Sequence, residues 1–299
     1  MNKARAFLAV TAALLACGCA ALPRKSASFD PSIERAMELL SKTASGKPLL
    51  RYAERRPIEI RYSPRLKEPW PKFDPQGNAL LLPDNARGSD YVVALLLARG
   101  LASYKIYAER NLADMLIEVE ELAALEQAHA ATELEIHDEA EVEASPGGKY
   151  ALDELCAYLS EGRGKLLEMT GRGALDSYPE YGRPLETLDG ARAWLKKTQQ
   201  ALEDGTLPQL LYQHDLARVK RGTLTQSEAS ENLLQLRTAN SDGIWRGQRE
   251  YYFNANKILS NMALFKERAL LADDEWRRNN AGLISRRLAE TNRCQSHPQ

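Results

Sequence analysis

Eight consecutive uncharged residues, Tyr91 through Ala98, follow Asp90, and Val93, Leu97, Leu101, Tyr104 and Ala108 recur at helical spacing. A surface helix confines its apolar residues to one stripe. Here Leu95 and Leu96 widen that stripe, so the helix is expected to be buried on most sides, and any fold of this chain has to enclose it. Arg99 ends the uncharged run and places a guanidinium on the same helix.

The surrounding pattern is that of an α+β chain, mainly α, with a small sheet. Asp30-Pro31 followed by Ile33, Ala36, Met37 and Leu40 reads as a capped amphipathic helix with proline in its first turn. Gly46-Lys47-Pro48 interrupts it, and a short helical stretch runs from Leu49 to Arg55. Residues 57–62 alternate apolar and charged as a half-buried strand does, and Ala79 to Leu82 is a second strand candidate. Between them Ser63 to Gly77 holds four prolines and is expected to be irregular. Another helix is expected from Asn111, with Leu112, Leu116, Val119 and Ala123 inward and its acids outward. Ser145-Pro146-Gly147-Gly148 is the clearest boundary, dividing a core at 30–144 from a helical region at 149–299. Helices are expected there at 149–169, 187–204, 207–221, 226–239, 245–272 and 273–291, with Thr225-Gln226-Ser227-Glu228 matching a capping box.

The N-terminus speaks to compartment. Lys3 and Arg5 precede eleven uncharged residues, Ala6 to Ala16, which is signal-peptide anatomy and too short to span a membrane. Leu14-Leu15-Ala16-Cys17 resembles the lipobox of bacterial lipoprotein precursors. The resemblance implies a signal peptide at 1–16, acylation of Cys17, and a tether at 17–29. Cys19 is a poorer acceptor, lacking a leucine three places before it. Gly18 stands where an aspartate would signal retention in the inner membrane, which points to the outer membrane, facing the periplasm. Lipid attachment makes the membrane the first expected partner, with a protein or cell-wall partner as a second.

Cleavage leaves about 283 residues with 38 basic against 41 acidic side chains, a balance that suggests no nucleic-acid partner. Charge is segregated: 109–143 holds twelve acids against Arg110, and 47–72 holds eight Lys or Arg against three acids. The acidic segment is either a partner surface or lies against the basic one. Beyond the lipobox, Cys156 and Cys294 remain, and an oxidising compartment permits a disulfide between them or two free thiols.

The order of elements from Gly46 to about Glu143 resembles the core of zincin metallopeptidases: a small strand pair, Asn78-Ala79-Leu80-Leu81-Leu82-Pro83, a buried helix, then an acidic helix. Zincins carry H-E-x-x-H on the first helix, so that two histidines one turn apart bind zinc and the glutamate activates water. Ala98 and Ala102 stand at the histidine positions here, and Arg99 at that of the glutamate. Alanine ligates nothing and a guanidinium is no base. The resemblance therefore implies an inactive peptidase frame with neither metal nor cofactor. Glu118-Val119-Glu120-Glu121 is similar to the stretch that supplies the third ligand, with Glu120 the matching position. Arg99 is expected to pair with Glu120 or Glu118 in place of the metal. A helical interaction module and an envelope hydrolase with another site remain the alternatives.

Other constellations are weaker. His129, Glu133 and His137 share a helical face that suits a divalent metal, whereas His214 and His297 are isolated. Asn240, Asp242 and Gly243 imitate part of a calcium loop, but Thr238 and Arg249 stand where carboxylates are needed. Gly162-Arg163-Gly164-Lys165 lacks the first glycine and the hydroxyl residue of a phosphate loop. Trp245, Tyr251, Tyr252 and Phe253, interleaved with Arg246 and Arg249, are either helix packing or a binding surface.

Overall fold

The computed structural model describes residues 30–66, 68–74, 77–110, 117–136, 138–177, 187–220, 224–238 and 241–295. Side chains are described for these except 110, 173–177, 236–238, 241–253 and 295. Cys17, Cys19, the signal peptide and the tether lie outside the described residues, as do Leu112, Leu116, His137, Asn240 and His297.

Helix α1 (Pro31–Ser41) opens under an Asp30 cap whose carboxylate accepts from the Ser32 backbone N–H at 3.0 Å. Helix α2 (Gly46–Arg55) follows, then strands β1 (Glu59–Ser63), β2 (Lys72–Asp74) and β3 (Ala79–Pro83). The sheet order is β1-β3-β2, with β3 parallel to β1 and antiparallel to β2. In register, Glu59 faces Ala79 and Tyr62 faces Leu82. Central β3 is almost wholly apolar, whereas β1 alternates exposed Glu59 and Arg61 with buried Ile60 and Tyr62. Strand β2 lies within the segment expected to be irregular. Its three residues sit between prolines, and pairing with the β3 edge, rather than local propensity, makes it a strand.

Helix α3 (Asp90–Arg110) is the buried helix, with every residue from Val92 to Leu101 buried. It is long and apolar enough by composition to cross a membrane, but 78 % of that stretch is enclosed by protein. It lies close on the sheet at Gly100: a Cβ there would stand 2.6 Å from Leu80 Cδ1. Helix α4 (Ile117–Glu133) packs along α3. Its acids do not point outward as expected. Glu118 and Glu120 are buried, because α3, α6 and α7 leave this helix no broad solvent face.

After the short α5 (Glu139–Glu143), α6 (Pro146–Glu161) starts at the expected boundary. Ser145 caps it by accepting from the Gly148 N–H at 3.0 Å. The two glycines are therefore a helix start, not a linker. A side chain at Gly148 would overlap the Val142 carbonyl and Val92. The expected break between 144 and 149 is absent from packing: one apolar core runs from Ile33 through Leu97 and Tyr158 to Ile284.

The helix expected at 149–169 is two helices. Gly162, at φ +87°, ends α6, and α7 (Arg163–Ser177) follows. Helices α8 (Leu188–Glu203), α9 (Leu207–Lys220) and α10 (Gln226–Thr238) lie where expected to within a residue. The capping box is formed: Thr225 Oγ1 accepts from the Glu228 N–H at 3.2 Å, and the Glu228 carboxylate accepts from the Thr225 N–H at 2.8 Å. Helix α11 (Ser241–Asn279) runs unbroken through the 272/273 break expected from sequence, and Asp242 and Gly243 lie in its first turn rather than in a calcium loop. Helices α12 (Ala281–Glu290) and α13 (Asn292–Gln295) complete the fold, and Cys156 on α6 is disulfide-bonded to Cys294 on α13.

Candidate functional site

Arg99 points inward from α3 and is 3 % exposed. Its Nη1 donates to Glu154 Oε2 at 2.8 Å, and its Nε lies 3.6 Å from Glu120 Oε2. Gln127 Oε1 stands 3.4 Å from the same Nη1, and Thr170 donates to the other Glu154 oxygen at 2.7 Å. The Trp70 and Tyr150 rings flank the guanidinium at 5.7 and 5.9 Å. Segments far apart in sequence thus supply one buried cluster: the β1–β2 connection, α3, α4, α6 and α7.

Burial alone would lower the Arg99 pKa, but the Glu154 and Glu120 carboxylates facing it raise it. Glu120 moves the other way. Burial pushes its pKa above the ordinary carboxylate value, Arg99 opposes that, and the neighbouring Glu154 charge adds to it. Two carboxylates share one guanidinium, and Glu120 is the less well bonded of them. Neither Arg99 Nε nor the Tyr150 hydroxyl has a hydrogen-bond partner among the described residues, so the cluster holds two unsatisfied donors.

Of the two partners expected for Arg99, Glu120 is in the cluster and Glu118 is not. Glu118 accepts from the Leu188 N–H at 2.9 Å and lies 3.8 Å from Lys266, which also pairs with Glu121 at 2.9 Å. Glu154, the closest partner, escaped the sequence reading: it lies 55 residues from Arg99, on a helix whose sequence marks no carboxylate as special. Ala98 and Ala102 are both buried, and Ala102 lines a cavity.

That cavity, about 330 Å³, is bounded by α2, α3, α4 and α11. At its edge a second buried cluster ties α4 to α11. His129 Nε2 lies 2.8 Å from Asp273 Oδ1 and 3.1 Å from the Tyr158 hydroxyl, and Tyr158 donates to the same Asp273 oxygen at 2.6 Å. The Tyr158 proton points at the carboxylate, so Nε2 faces two acceptor oxygens and carries a hydrogen. Trp276 stacks on His129 at 4.1 Å. Asp273 is fully buried; burial would raise its pKa, but hydrogen bonds from His129 and Tyr158 and the nearby Arg163 bring it below the ordinary value.

The remaining readings resolve differently. His129 and Glu133 are engaged apart from each other, since Glu133 accepts from the Ser45 N–H and hydroxyl, both at 2.9 Å, and from Trp276 at 3.2 Å. Among the described residues no group of three or more His, Cys, Asp or Glu side chains is placed to hold a metal. Arg163 is no part of a phosphate loop: it donates to Asp274 at 2.6 Å and to Asp273 at 3.4 Å. His214 packs on Trp194 at 5.0 Å. The side chains of Trp245, Arg246, Arg249, Tyr251, Tyr252 and Phe253 lie outside the described residues. Comparison of the chain with protein-family profiles, with curated proteins and with solved structures finds no match.

Proposed function

We propose that this chain is a lipid-anchored protein of the bacterial cell envelope, built on a zincin frame that has exchanged its metal site for an arginine–carboxylate cluster. Its role on this reading is binding or scaffolding rather than peptide hydrolysis. Arg99 carries the proposal. It stands at the position of the catalytic glutamate, on a buried helix that follows a small sheet, and it pairs with Glu120 on the next helix. One cation has replaced another between helices that need a positive charge to keep two carboxylates buried. The lipobox residues at 14–17 supply the anchor, and the Cys156–Cys294 bond suits an oxidising compartment.

Restoring the motif tests the frame. Ala98→His, Arg99→Glu and Ala102→His together, with Glu120 retained, are expected to give a folded variant that takes up about one zinc per chain by elemental analysis. A variant with wild-type circular dichroism that stays free of zinc would falsify the frame. The anchor has its own readout: cells fed labelled palmitate should label the wild-type chain but not Cys17→Ala. Label retained in Cys17→Ala and lost in Cys19→Ala moves the anchor to Cys19.

A further inference from the structure

The cavity between α2, α3, α4 and α11 is walled by Leu49, Ile106, Leu125 and Phe265, yet besides Asp273, which His129 and Tyr158 engage, two charged side chains line it, Lys105 on α3 and Glu126 on α4. Both are half-buried. Neither forms an ion pair or hydrogen bond among the described residues, and they do not pair with each other. A charge held partly out of water among apolar walls gains from an opposite charge brought to it. His129 stands one helical turn beyond Glu126 and lines the same space, with its Nε2 committed to Asp273. The α4 wall therefore presents one carboxylate, Glu126, and the α3 wall presents one cation, Lys105.

We propose that this cavity binds a small zwitterion with an apolar body, of the size and chemistry of a dipeptide with apolar side chains. The ligand's ammonium group lies against Glu126, its carboxylate reaches Lys105, and its side chains take the space among Leu49, Leu125 and Phe265. At about 330 Å³ the site is at the small end of the range for ligand pockets. A macromolecular segment would enter by one end only and leave one of the two charges unmet. The inference is independent of the peptidase frame, since none of its polar groups belongs to the Arg99 cluster.

Calorimetric titration of the purified mature protein with the dipeptide Leu-Phe, its N-acetyl form and its C-terminal amide tests the site. The free dipeptide is expected to bind one per chain, and capping either end should weaken it by about tenfold or more. Lys105→Gln should cease to distinguish the amide from the acid, and Glu126→Gln should cease to distinguish the acetylated from the free amine. Both residues lack partners among the described residues, so these variants should melt at the wild-type temperature. Ala269→Trp, at the half-buried rim, should abolish binding. No saturable binding up to about 10 mM, a range that already includes very weak ligands, overturns the proposal. So does binding that ignores the caps or survives both charge-neutralising variants unchanged.

Discussion

A guanidinium enclosed in protein keeps its proton, so adjustment falls on the carboxylates around it. Glu154, bonded to Arg99 and Thr170, has good hydrogen bonds, and Glu120, at 3.6 Å, takes the strain of the shared charge. Removing either carboxylate is expected to be worse than never having buried the pair, because the charge left behind has no compensation. Asp273 gives the sharper pH signature. Its folded pKa lies below the ordinary 3.8, since bonds from His129 and Tyr158 outweigh the effect of burial. A lowered pKa means that its stabilising contribution is complete above the unfolded value and is lost as pH falls through the folded one. Asp273→Asn should therefore flatten the acid limb of stability below about pH 4 and cost on the order of 3 kcal/mol near neutrality. Urea unfolding of both proteins across that range checks it, and parallel acid limbs would reject the assignment. At this scale the sequence made Arg99 visible, because a charge closing an uncharged run stands out. It could not show Asp273 as the partner of His129, 144 residues away, where no local pattern links the two.

Helix α4 shows where periodicity misleads. A run of acids between apolar residues reads as a solvated face, but that inference assumes one side of the helix is free. With α3, α6 and α7 around it, the helix has to satisfy Glu118, Glu120 and Glu121 internally, through Arg99, Lys266 and the Leu188 N–H. Helix α6 gives the opposite lesson. Pro-Gly-Gly is locally a breaker, and here each residue serves a helix start: proline in the first turn, then glycines where neighbouring backbone comes close. Gly148→Ala should lower stability by about 1–3 kcal/mol, since its methyl group has no room beside the Val142 carbonyl. Gly164→Ala, with open space around the new methyl, should be neutral or raise stability by roughly 0.5 kcal/mol. Thermal melts of the two variants separate close packing from helix propensity; equal shifts would contradict the packing account. The strands β1 and β3 and the capping box were legible because their signals are local, whereas β2 exists only through its partner.

The molecule's integrity rests on one continuous core that joins α1 and the sheet to α6, α7 and α12 across the segment that reads as a boundary. Residue patterning announced a mainly helical chain with a small sheet, but not that continuity, because shared burial is a property of packing. The Cys156–Cys294 bond adds a covalent link with a sequence separation of 138 residues. A closed loop of that length restricts the unfolded chain strongly, so replacing both cysteines by serine should cost about 2–5 kcal/mol. The melting temperature should fall accordingly, with reductant producing a similar drop in the wild type and none in the variant. The same bond turns the chain from α7 through α12 into a covalent ring. A protease that severs one peptide bond inside that ring releases no fragment: the new ends remain held through sulfur to the N-terminal half. Damage to the helical region is thus invisible to size until a reductant is present, and the distal helices stay attached to the rest of the chain after the first cut.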